Sequence, residues 1–102
     1  MAYDSDRLLN TRLGQINATG RGTIAVADAA TTGTATITAV TTARTMVRHM
    51  GQTVTNEAGQ TTSQYLTRVE LTNTTTITAT VAQAGAGART LTVGYEYTEF
   101  QA

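Results

Sequence analysis

Apolar and polar residues alternate with a period of two along much of this chain. From Thr34 to Ala39, Ala35, Ile37 and Ala39 fall on one side and Thr34, Thr36 and Thr38 on the other. From Thr74 to Val81 the pattern returns, with Thr75, Ile77, Ala79 and Val81 opposite Thr74, Thr76, Thr78 and Thr80. Successive side chains of a β-strand point to opposite faces, so each segment predicts a strand with an apolar inner face and a hydroxyl outer face. The same period sets Ile24 and Val26 inward from Gly22 to Ala27, and Leu91, Val93, Tyr95 and Tyr97 on one side from Thr90 to Thr98. Two further segments are less regular. Arg44 to Gly51 carries Met46 and Met50 opposite Val47, and Gln64 to Thr72 carries Tyr65, Val69 and Leu71 opposite Leu66, Arg68 and Glu70.

Turn-forming residues separate these segments, over 28–33, over 56–63 around Gly59, and over 83–88 around Gly85 and Gly87, the last reading as a hairpin connection. About six strands at this spacing predict an all-β fold, an antiparallel β-sandwich or flattened barrel. The first twenty residues differ in character. Asp4, Ser5 or Asp6 could cap a short helix on which Leu9, Leu13 and Ile16 share a face, and an extended arm fits equally well. The chain therefore divides into an N-terminal docking arm, residues 1–20, and a β-sandwich domain, residues 21–102. The arm has too little apolar area to fold alone and must dock on its own domain, on a neighbouring copy or on something larger.

Composition narrows the picture. With 102 residues there is material for one core, and with aromatics at 5% that core is built from Val, Ile, Leu and Ala. Threonine supplies about a quarter of the residues, a β-branched type suited to a pleated, half-exposed surface. Net charge is zero and every basic residue is arginine, which argues against a field strong enough to gather nucleic acid or anionic lipid. Without cysteine there is no disulfide or thiolate metal site. The start, MAYDSDR, lacks a basic-then-apolar signal and no apolar run approaches the ~20 residues of a membrane span, so a soluble protein with no visible export signal is expected.

Catalytic chemistry finds little footing. His49 is the one histidine and reads as a strand-edge structural residue. Ser5 and Ser63 sit in no nucleophile elbow. The AGAGAR stretch, Ala84 to Arg89, lacks the lysine and hydroxyl residue with which a phosphate loop holds ligand and metal. The expectation is a non-enzyme with no catalytic, cofactor or metal site. Arg68 and Glu70 are placed to pair with Arg44 or Arg48 across strands, at about 0 to 1 kcal/mol. The threonine rows admit three readings: a solvated sheet face, a low-penalty contact surface for another protein, or an ice- or sugar-binding plane. The third is weakened because only two rows occur, separated by unlike sequence.

The runs RGTIAVADAATTGTATITAV, ARTMV, LTRVELTNTTTITATV and TLTVGYEYTEF together resemble small threonine-rich β-sandwich virion structural proteins of tailed bacteriophages, of the head decoration (cement) or tail-fibre type. The likeness covers about Arg21 to Phe100 and leaves the arm unmatched. It implies a particle component located in the virion and assembled in the bacterial cytoplasm. Its partners would be the major capsid protein or other virion proteins, with no nucleic acid and no membrane. The decoration role implies a homo-oligomer, a trimer being one candidate symmetry, that stabilises the head. In that role Leu8, Leu9, Leu13 and Ile16 would form the arm's contact. The alternative is a tail, neck or fibre adhesin whose loops around Gly59 and Gly85 meet the host surface.

Overall fold

The computed structural model describes residues 15–55, 61–87 and 89–101. Six strands appear in chain order: β1 (Ile16–Val26), β2 (Thr32–Thr36), β3 (Thr45–Thr55), β4 (Thr67–Asn73), β5 (Thr76–Val81) and β6 (Thr90–Phe100). Single turns of 3-10 helix at Thr42–Arg44 and Thr62–Gln64 precede β3 and β4. Two three-stranded antiparallel sheets result, sheet A in the order β1-β6-β3 and sheet B in the order β2-β5-β4. The all-β sandwich predicted by the alternation is therefore the observed fold.

Between the sheets lie Ile24, Val26, Ile77, Ala79, Val81, Leu91, Val93, Tyr95 and Tyr97, joined by Ile37 and Val40. The central strands β5 and β6 supply most of this core because each is covered by a partner on both sides and by the opposite sheet on one face. Ile77, Ala79 and Val93 have no exposed surface at all. Burying a side chain such as Ile77 contributes about 1.5 to 3 kcal/mol.

Packing against β6 fixes two glycines. On the inner face Gly20 lies opposite Tyr97 and Gly22 opposite Tyr95. Each tyrosine ring folds across its glycine: a Cβ on Gly20 would stand 2.6 Å from the Tyr97 ring, and one on Gly22 would stand 2.7 Å from the Tyr95 hydroxyl. The rings fill the space that β1 leaves empty, so two tyrosines supply the aromatic part of a core otherwise made of small aliphatics.

Several boundaries differ from the sequence reading. β1 begins at Ile16 rather than Gly22, so Ile16 belongs to a strand and not to a helix face. After Thr36 the chain leaves sheet B. Ile37 and Val40 donate backbone hydrogen bonds to Thr75 and Thr74, the turn between β4 and β5, so Val40 turns inward and Ala39 is exposed, opposite to expectation. That same turn removes Thr74 and Thr75 from β5. The 82–89 connection is not a hairpin, because β5 and β6 lie in different sheets. In β3 a bulge between His49 and Gln52 places Met50 and Gly51 against Gly94, with Gly51 at φ 110°, a conformation that L side chains rarely adopt.

Candidate interaction surface

The two threonine rows, forty residues apart in sequence, become neighbours. β2 and β5 pair with Thr32 opposite Thr80, Thr34 opposite Thr78 and Thr36 opposite Thr76. Directly opposite residues share a face, and the partners Gly33, Ala35, Ile77 and Ala79 take the inner one. The outer face of sheet B is thus a grid of six threonines. Its spacing is set by the backbone at roughly 6.6 to 6.8 Å along each strand and about 4.8 Å between strands. Among the described residues only Thr78 of the six has a side-chain hydroxyl partner, Thr72 Oγ1 at 2.9 Å.

Among the described residues, charge enters this face only at its β4 border. Arg68 lies opposite Thr80 and Glu70 opposite Thr78. They pair with each other at 3.6 Å, both well exposed. The expected pairing of Glu70 with Arg44 or Arg48 does not form, because β3 lies in the other sheet. Arg48 instead reaches Glu96 at 3.5 Å, and Arg21 reaches the same carboxylate at 2.6 Å. Beside the grid, Leu66, Thr67, Arg68, Thr80 and Ala82 line an open depression of about 410 Å³, with Leu66 half exposed. A protein covering this face would desolvate hydroxyls and methyls but no unpaired ion, which keeps the cost of contact low.

The sequence-predicted contact residues are only partly in view. Leu8, Leu9 and Leu13 lie outside the described residues. Ile16 opens β1 with 53% of its surface exposed, opposite Phe100 of β6 and in the other sheet from the grid. His49 takes the structural role foreseen for it. Its Nδ1 accepts the Gly51 N–H at 3.0 Å, which leaves Nε2 to donate to Thr67 Oγ1 at 2.8 Å and so tie β3 to β4. No group of three or more His, Asp or Glu side chains suited to a metal occurs among the described residues.

Two buried charged residues escaped the sequence reading. Arg89, 3% exposed, precedes β6 and sends its guanidinium to backbone carbonyls: Nη1 to Gln64 at 2.5 Å, and Nη2 to Ala27 at 2.6 Å, Ala30 at 3.2 Å and Asp28 at 3.3 Å. Its Nε is buried without a partner among the described residues. Glu99, 4% exposed, sits at the other end of β6. One carboxylate oxygen accepts Asn17 Nδ2 at 2.7 Å and the other accepts the Thr41 backbone N–H. The Thr41 N–H, then the Asn17 amide, with the Arg44 charge adding a little, hold the Glu99 carboxyl below the ordinary glutamate value of 4.5 against the opposing effect of burial. A signal for both was present. Arg89, Leu91, Val93, Tyr95, Tyr97 and Glu99 share one parity, so the apolar inward row is bracketed by a cation and an anion.

No family model, curated protein or solved structure matches the chain.

Proposed function

We propose that this protein is a non-enzymatic structural component of a tailed-bacteriophage virion, a β-sandwich module that decorates the head and stabilises it through contacts with the shell and with its own copies. The observation that carries the contact role is the six-threonine grid, a flat face whose ionic groups are confined to one self-paired border. The virion assignment is supported by the sequence resemblance described above. A small domain with few aromatics gains stability when many copies are held on one shell, since each contact binds only the folded state.

Quantitative mass spectrometry of purified particles tests the reading. A decoration protein is present in hundreds of copies, on the order set by shell symmetry. A handful of copies, together with binding of the isolated protein to host envelope, establishes the adhesin alternative instead. Absence from the particle removes the virion reading altogether.

A further inference from the structure

We propose that the free edge of β1, at Thr19, Arg21 and Thr23, pairs antiparallel with the same edge of a second copy of this chain, fusing two copies of sheet A into one six-stranded sheet. The inference is independent of the virion reading and concerns the purified protein alone.

An edge strand presents unpaired N–H and C=O groups, and folded proteins blunt such edges by shortness, charge, bulges or cover. Among the described residues, three of the four edges here are blunted. β2 has only five residues. β4 carries Arg68, Glu70 and a bulge after Leu71. β3 is broken by the Met50–Gly51 bulge and tied to β4 by His49 and by Gln52, whose Nε2 donates to the Tyr65 carbonyl and whose Oε1 accepts the Thr67 N–H at 3.2 Å. The start of β3 is turned by Thr42–Arg44, with Thr45 Oγ1 donating to the Thr41 carbonyl at 2.7 Å.

β1 has a bulge only at its start, between Ile16 and Ala18, and its one charge, Arg21, is paired with Glu96 of its own sheet. It runs in unbroken register with β6 for nine residues, from Ala18 to Val26, and the chain contains neither proline nor lysine. The direction of its free groups is fixed by one contact. Gly33 of β2 lies against the Ala25 carbonyl, so tightly that a Cβ there would collide with it, and Ala25 therefore turns its backbone groups away from β6. Backbone groups alternate sides along a strand, so Thr23, Arg21 and Thr19 turn theirs the same way. Near its start β2 lies against that edge at Ala25, and it runs on to Thr36; Thr19, Arg21 and Thr23 are all exposed. Three residues thus offer three donors and three acceptors on a stretch of main chain whose single charge is already paired.

Among the described residues β1 is the longest edge with continuous register, which favours a second copy of the same strand as the occupant. Pairing through a single edge closes at two copies about a two-fold axis, whereas two open edges would propagate a fibre. Extended strands of the same sequence match that edge in length and hydrogen-bond period. A register that sets Arg21 against Thr19 or Thr23 of the second copy keeps the two guanidinium groups apart, each remaining with its own Glu96.

The test is sedimentation velocity of the full chain over a micromolar concentration series, with hydrogen exchange read at the three amides. The expected result is a monomer–dimer equilibrium in which the Thr19, Arg21 and Thr23 amides slow as the dimer fills. Thr23→Pro deletes an N–H on the free side and none in the β6 ladder, and is expected to give a monomer. Thr23→Lys, which keeps the backbone intact and brings a like charge to the partner's Arg21 edge, is expected to weaken the dimer about tenfold and decides the matter if the proline variant fails to fold. A wild-type monomer at every concentration overturns the proposal. So does a Thr23→Lys dimer of wild-type affinity, or slow exchange at these amides in the monomer, which would mean that the chain covers its own edge.

Discussion

The two ends of β6 are fastened in opposite electrical senses. At its start the Arg89 guanidinium gathers four backbone carbonyls, from Gln64, Ala27, Asp28 and Ala30, and so joins the connections that precede β2, β4 and β6. The join is reinforced by Asp28, which accepts the Arg89 N–H on Oδ1 at 3.0 Å and the Gly85 N–H on its backbone carbonyl at 2.7 Å. At its end the Glu99 carboxylate gathers donors instead, from Asn17 of β1 and from Thr41 ahead of β3. Arg44 completes that end by donating Nε–H to the Phe100 carbonyl at 3.0 Å. Loops leave backbone groups of both kinds unpaired, and one ionised side chain with several donors or acceptors satisfies a cluster of them at once. The difference is that a carboxylate titrates in the range where proteins fold, whereas a guanidinium does not.

Removing the cationic end gives the largest expected effect. Arg89→Met fills much of the same volume but leaves those carbonyls without donors in a buried site. A loss of about 2 to 4 kcal/mol is expected, read as a lower urea midpoint with an unchanged m-value. The stretch between the two ends answers next. Gly22→Ala places a methyl against the buried Tyr95 ring and should cost about 1 to 3 kcal/mol through overpacking. Near-ultraviolet circular dichroism of the tyrosines should change with it.

Glu99→Gln sharpens the contrast through pH. Because the folded state holds this carboxyl below 4.5, the ionised form contributes stability that is present in full above that value and is lost as pH falls through the folded value. Wild-type protein should therefore exceed Glu99→Gln in stability by its widest margin at neutral pH, with the gap closing from about pH 5 downward. Arg89→Met should run parallel to wild type over the same range. Equilibrium unfolding of the three proteins between neutrality and acid checks the claim; a gap that stays constant would mean that the Glu99 charge contributes nothing. The smallest effect belongs to the exposed pairs. Glu96→Gln removes the partner of Arg21 and Arg48 on the outer face of sheet A and should change stability by about 0 to 1 kcal/mol, an amount that 1 M salt erases.

The comparison also marks where sequence reasoning carried and where it stopped. The alternation in Leu91 to Tyr97 and Ile77 to Val81 placed those side chains inside correctly, because strand periodicity is a property of the local backbone. Ala39 went wrong because the chain turns toward the 74–75 turn after Thr36, and only a contact with another part of the molecule makes it do so. Gly22 read as an ordinary strand residue and Gly20 as part of the arm until the tyrosines opposite them were known. Arg89 and Glu99 lay on the inward parity of β6, yet nothing in the linear order said which carbonyls or amides would wait for them.

What the sequence determined alone is the two-faced character of each strand: apolar residues in, threonines out, since a period of two can be read from neighbours. The tertiary structure decided the order β1-β6-β3 and β2-β5-β4. It brought the two threonine rows side by side into a grid, capped β6 with its two buried charges, and set β1 at an edge of sheet A. Pairing of strands depends on contacts between residues as much as 84 positions apart, such as Ile16 and Phe100, and such contacts are selected by the packing of the whole core rather than by any stretch of it.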